Sequence, residues 1–236
     1  MKTFLRSAIL LLVILAFCVP QSSEQVWVKL EKGDALVLLP TSGQWQPISV
    51  KTEIPKRTFL LTKGKSFVKV FHATDMVEVP ENCYVFVDDV TVKSKIEVVA
   101  ELTRIEAEQL PNSDRSKDTL KIPDVGLTYG KRAAAPSDKF SIPYKTERLN
   151  MAAAFLRNDR QDGAVLTLKR MMTKYPSLYL DQTIVDQLFT LYERLGLDGF
   201  LFDESAKLIA LYRNNDFSEK LSRWNTLAKQ RLSDKK

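Results

Sequence analysis

Residues 43–70 read GQWQPISVKTEIPKRTFLLTKGKSFVKV. The apolar runs here, FLL and SFVKV, are too short for a helical period, and Pro47, Pro55 and Gly64 interrupt them. Brief β-branched or aromatic runs between turn formers are the mark of strands. The same texture extends outward in both directions, from VWVKL and ALVLL through RTFLL, SFVKVF, MVEVP and CYVFV to VTVKSKIEVVAEL. Gly33, Gly43 and Pro80 add further breaks. The spacing predicts an all-β sandwich or roll over residues 26–110. In MVEVP the alternation puts Val77 and Val79 on one face. YVFV is apolar on both faces, which predicts a central strand. Trp45 is expected to plug one sheet face within the core, and Gly64 to supply a positive φ at its turn.

Upstream, Lys2 and Arg6 lead into an unbroken apolar run, Ala8 to Val19, closed by Pro20 and the polar residues Gln21 to Glu24. That layout predicts a signal peptide over residues 1–23 and a periplasmic or otherwise exported location. The run falls short of the ~18 or more apolar residues of a membrane span, so membrane contact is expected only through an uncleaved leader. Ala16 and Cys18 offer one cleavage point and Ser22 and Ser23 another. Lipid attachment at Cys18 is the competing reading, against which the bulky Phe17 counts.

Without the leader only Cys83 is sure to remain, so stability must come from packing and not from disulfides. For an exported chain this favours a bacterial envelope. Cys83, between Asn82 and Tyr84, reads as a small buried hydrophobe. Net charge is +6, and both signs mix in KGDALV, KTEIPKR and EKLSR. A phosphate-tracking protein would concentrate its cations, so no nucleic acid is expected. Lys51, Lys56, Arg57, Lys63 and Lys65 would make a basic rim only if they met at one end of the sandwich. The preferred reading is that they guard strand edges.

The order of Gly33 to Leu38, Gly43-Gln44-Trp45, Glu53-Ile54-Pro55, Thr62-Lys63-Gly64-Lys65-Ser66 and Val77-Glu78-Val79-Pro80 resembles the periplasmic FecR-like domain. Lys51, Lys56 and Met76 stand where that family usually carries glycine. The lead-in before the apolar run is too short for the cytoplasmic segment with which such proteins grip a sigma factor. The resemblance therefore implies the outer sensing or binding module alone.

Residues 111–144 carry Pro111, Pro123, Pro136 and Pro143 with Gly126 and Gly130, and read as a linker, with LKIP and VGLTYG as apolar pieces able to lie against either part. From residue 145 the period becomes helical: Leu149, Ala152, Ala153 and Leu156 recur on one side, Asp162-Gly163 marks a turn, and Pro176 stops the next run. Ala152, Phe155, Ala164, Leu168, Met171 and Pro176 are similar in order and spacing to a tetratricopeptide repeat (TPR), a helical hairpin. A second unit fits less well, because Tyr192 to Ala206 exceeds the repeat spacing by about five residues. DFSEKLSRWNTLAKQRL predicts a closing helix capped by Asp216 or Ser218. The fold class expected is thus multidomain α+β, with TPR-like helical hairpins over residues 145–236, and the Pro-rich linker predicts halves that fold independently.

In a hairpin of this kind Thr146, Leu149, Ala153, Leu156 and Arg157 would form the first-helix binding surface, although Leu149 and Leu156 read more naturally as core. For catalysis the residues offer little. His72 in KVFHATD is the only histidine, near Asp75, and no nucleophile elbow, zinc-binding helix or phosphate loop is written in the chain. Asp88 and Asp89 as strand neighbours would point to opposite faces and fail to hold a metal together. The expectation is a non-catalytic exported binding or assembly module without a cofactor or metal. Its partner is an envelope protein or an anionic cell-wall polymer, met by the β-domain and the helical hairpins. The alternative is a cell-wall or polysaccharide hydrolase built on a carboxylate pair, which needs no local motif.

Overall fold

The structure is a computed structural model that describes residues 26–72, 75–108, 142–213 and 216–235. The leader with its cleavage points, and all but the end of the linker, lie outside the described residues. An N-terminal region of two antiparallel sheets is followed by six helices, an α+β architecture in two parts. Among the described residues no helix is long and apolar enough to cross a membrane.

The strands are β1 (Val26–Lys32), β2 (Ala35–Leu38), β3 (Trp45–Pro47), β4 (Lys51–Ile54), β5 (Phe59–Thr62), β6 (Phe67–His72), β7 (Asp75–Val79) and β8 (Tyr84–Phe86). One sheet has the order β4-β1-β6-β7 and the other β3-β2-β5-β8. Period-two alternation sends Val26, Val28, Val68, Val70, Val77 and Val79 inward from the first sheet, and Ala35, Val37, Leu60 and Val85 inward from the second; all are buried. Burying each of the larger side chains contributes roughly 1.5–3 kcal/mol. The expectation for MVEVP holds, with Val77 and Val79 inside and Glu78 exposed.

The turn from β1 to β2 depends on Gly33. Its φ is +76°, and an added Cβ would lie 2.6 Å from Ser66 Oγ and 2.7 Å from Ser66 Cα. Ser66 fills that space productively: its hydroxyl accepts from Asp34 N at 2.9 Å and donates to Asp34 O at 2.6 Å, tying together turns far apart in sequence. The neighbouring Thr62–Ser66 turn differs from expectation, since its left-handed residue is Lys65 (φ 62°) and not Gly64.

The second sheet is apolar on both faces. Phe59, Tyr84 and Phe86 alternate with the inward Leu60 and Val85 and form an aromatic cluster on the outer side, with ring centroids 5.2 Å (Phe59–Tyr84) and 5.0 Å (Phe59–Phe86) apart. This explains why YVFV is apolar throughout without being central: β8 is an edge strand, and the helices cover its outer face. Trp45 belongs to this outer cluster as well. It is half-buried, edge-on to Tyr84 (6.1 Å) and Tyr144 (6.0 Å), and so is no plug of the sandwich core.

After a 3-10 turn, Val87–Asp89, the chain forms α1 (Lys95–Ala107), where the apolar pattern had suggested a strand. The cause is local. Ser94 accepts from Glu97 N while the Glu97 carboxylate accepts from Ser94 N at 2.7 Å, a capping box, and Val98, Leu102 and Ile105 then fall on one buried face. The remaining helices are α2 (Lys145–Arg157), α3 (Gln161–Lys174), α4 (Gln182–Arg194), α5 (Asp198–Leu211) and α6 (Phe217–Ser233), with a second 3-10 turn at Pro176–Leu180. Asp216 is the residue before α6, but neither it nor Ser218 caps the helix through a side chain. Asp162 and Gly163 lie inside the first turn of α3. Gly163 is required there by packing, since a Cβ would come within 2.8 Å of the Phe155 ring.

The two parts are in direct contact. Tyr144, just ahead of α2, stacks on Tyr84 at 5.0 Å, and Arg148 lies 4.1 Å over the same ring. Lys93 N donates to Asp162 Oδ2, Arg160 Nη1 to Val90 O and Asn150 Nδ2 to Asn82 O, each at 2.9 Å. One continuous buried cluster runs from Val26 to Ala228. The outer aromatic face of the second sheet supplies the physical reason for this contact.

Candidate functional site

The groove between α2 and the start of α4 holds most of the residues that the repeat pattern marks. Helix α2 buries Met151, Ala152, Ala154 and Phe155 against the core and leaves Ala153 and Leu156 exposed. Leu149, Asn150, Ala153 and Leu156 form one wall, and Ile184 and Gln187 of α4 the other, around a space of about 500 Å³. One end is closed by an ion pair, Lys145 Nζ to Asp181 Oδ2 at 3.2 Å. Asp181 also caps α4, accepting from Ile184 N at 3.4 Å, so the helix start and the groove end are positioned by the same carboxylate.

Leu149, Ala153 and Leu156 are therefore brought together: Leu149 is half-buried and packs against the core, whereas Leu156 is 38% exposed and is not core. Thr146 and Arg157 are exposed on the same helix but outside the groove lining. Arg157 sits toward the β part, where its charge opposes the upward push that burial gives the Cys83 thiol, to about 12. Cys83 itself is completely buried.

The basic residues of the strands do not gather. Lys56 and Arg57 precede β5 while Lys63 and Lys65 follow it, so they occupy opposite ends of the sheet. Lys51 lies over the Trp27 ring at 4.7 Å. Lys56 and Arg57 instead help line a polar cleft of about 390 Å³ that also contains His72, Asp88 and Glu101. Its acids are engaged by neighbours. Asp88 Oδ1 accepts from Arg57 N at 2.9 Å. Glu101 is held down to about 2, chiefly by its hydrogen bond from Arg104 and further by Arg170. Asp89 diverges from Asp88 and pairs with Arg170 instead; burial raises its pKa while Arg170 opposes the rise.

Sequence reasoning missed a buried polar cluster on the other side of the helices. Lys169 donates to Glu106 Oε1 at 2.8 Å and to Glu204 Oε1, which also accepts from the Tyr192 hydroxyl at 2.8 Å. Lys169 and Glu204 are each 3% exposed. Glu204 Oε2 has no hydrogen-bond partner among the described residues, a deficit that ordinarily costs about 1–3 kcal/mol. The available signal was a lysine inside AVLTLKRMM, at a helix position whose neighbours are apolar. The FecR-like and TPR-like resemblances gain no relatives to support them: no protein-family model, curated protein or solved structure matches the chain.

Proposed function

We propose that the chain is an exported, non-catalytic binding module of the bacterial envelope, in which a FecR-like β part carries TPR-like hairpins and the groove between α2 and α4 takes an extended segment of a partner envelope protein. The observation that carries this reading is the exposure of Leu156 and Ala153 on a helix whose opposite side is fully buried. Apolar side chains left open along a groove, with Asn150 and Gln187 beside them, suit a peptide that brings both apolar side chains and backbone polar groups.

Two helix spacings favour the repeat-like reading. Lys145 to Gln182 and Gln161 to Asp198 are each 37 residues apart, close to the repeat's period of about 34, with the 3-10 turn at Pro176–Leu180 inserted between the hairpins. In that register Leu201, and not Ala206, stands where Ala164 stands in the first hairpin; both are fully buried. An anionic polymer fits the groove less well, because Lys145 is already paired with Asp181. The polar cleft favours a structural over a hydrolytic role for Glu101, since a general acid needs a raised pKa and Glu101 is depressed.

The test is a pair of variants, Ala153→Arg and Leu156→Glu, compared with Lys229→Glu on α6. The first two should abolish recovery of a partner crosslinked in intact envelopes while the circular dichroism and melting temperature stay near those of the parent. Unchanged recovery with both groove variants rejects the groove as the binding surface.

A further inference from the structure

A third cavity, of about 790 Å³, opens between the C-terminal end of α1, the 3-10 turn at Pro176–Leu180 and α5. Its walls include the apolar side chains of Ala107, Pro176, Leu208 and Leu211, and Leu211 is 53% exposed at the mouth. Lys169, Glu106, Tyr179 and Glu204 supply the polar floor. The volume lies within the range of ordinary small-molecule sites, about 300–1,000 Å³.

The floor is unevenly satisfied. Lys169 gives protons to Glu106 Oε1 and Glu204 Oε1, and Tyr179 borders the same floor. Tyr192 adds a donor to Glu204 Oε1, already served by Lys169, while Glu204 Oε2 receives none. Two carboxylates thus share one buried ammonium; Glu106 is partly open to water, whereas Glu204 keeps one buried acceptor without a partner among the described residues. Lys207 also borders the cavity but is exposed, where water screens its charge.

We propose that this cavity binds a protonated amine carried on an apolar body, with the ammonium donating to Glu204 Oε2 and the apolar portion against Pro176, Leu208 and Leu211. The site lies apart from the α2–α4 groove and does not depend on it.

The probe is hexylamine, titrated calorimetrically into the chain from residue 24 onward, with hexanol and hexanoate as controls. Hexylamine should bind saturably and at least tenfold more tightly than either control. Glu204→Gln, which keeps an acceptor for Tyr192 but removes the charge, should weaken hexylamine at least tenfold. Because Glu204→Gln disturbs a buried ion pair, Leu211→Trp serves as the second variant: it fills the mouth from an exposed position and should block binding in a folded protein. The proposal is overturned if hexylamine does not bind, if hexanol or hexanoate binds as well, or if Leu211→Trp leaves hexylamine binding unchanged.

Discussion

Arg170 on α3 donates through Nη2 to the buried carboxylate of Asp89 at 3.1 Å, while its guanidinium lies 4.4 Å from the Phe86 ring centroid. The same guanidinium reaches Glu101 of α1. One side chain therefore joins the 3-10 turn, the second sheet, α1 and the helical part. Asp89 is 1% exposed, so removing its partner leaves a charge stranded away from water. Arg170→Ala should cost about 3–5 kcal/mol in chemical unfolding, whereas Asp89→Leu with Arg170→Met should cost far less, because both charges leave together. Equal losses in the single and double variants would contradict this.

Glu101 gives the junction an acid sensitivity of defined sign. Its pKa falls from 4.5 to about 2 in the folded protein, so on acidification the unfolded chain takes up the proton first. The stabilisation from Glu101 is present above pH ~4.5 and is lost as pH falls toward 2. Asp89, raised by burial, acts in the opposite direction, and comparing Glu101→Gln with the parent removes that background. The difference in unfolding free energy between the two should shrink steadily from pH 5 to pH 2. A difference independent of pH would show that Glu101 is not held as an ion-pair partner.

Cys83 should behave as a reporter of unfolding. Its thiol is pushed up to about 12 by burial and is closed to solvent. In a chain from residue 24 onward, a disulfide-exchange reagent at pH 8 should label it only at the rate of unfolding, and fully in denaturant. Immediate stoichiometric labelling of the native protein would contradict the burial.

Much of the β part was legible because its inward residues obey a period of two and its turns carry glycine and proline. The exceptions have specific causes. Residues 95–107 contain the β-formers Ile96, Val98 and Val99, and only the Ser94–Glu97 capping box distinguishes a helix from a strand there. Trp45 belongs to a layer that the sequence of the β part cannot announce, since Tyr144 comes from a distant segment. At the groove, helical spacing located Leu149, Ala153 and Leu156, but spacing alone could not show which of them α3 and α4 leave uncovered. The Lys169–Glu204 pair was illegible for a related reason: its partners are 35 residues apart and meet only after three helices pack.

Replacing Lys51, Lys56, Lys63 and Lys65 together by Gln should change stability by no more than about 0.5 kcal/mol per site, because all four are exposed and lie at different ends of the strands. Partner recovery should persist. Trp45→Ala should cost about 2 kcal/mol, less than a fully buried tryptophan, since the ring is half-buried and makes two edge contacts. A folded lysine variant that loses its partner would move the binding surface to the sandwich.

The most direct measurement is site-specific photocrosslinking in intact envelopes, with the reactive residue placed at Ala153 in the groove, at Lys65 on the sheet turn and at Lys229 on α6, followed by mass spectrometry of the adducts. The account predicts one discrete protein adduct at position 153, carrying an extended peptide of the partner and lost when Leu156→Glu is introduced alongside, with no such adduct at 65 or 229. An adduct confined to position 65, or the same adducts at all three positions, would contradict a binding module centred on the α2–α4 groove.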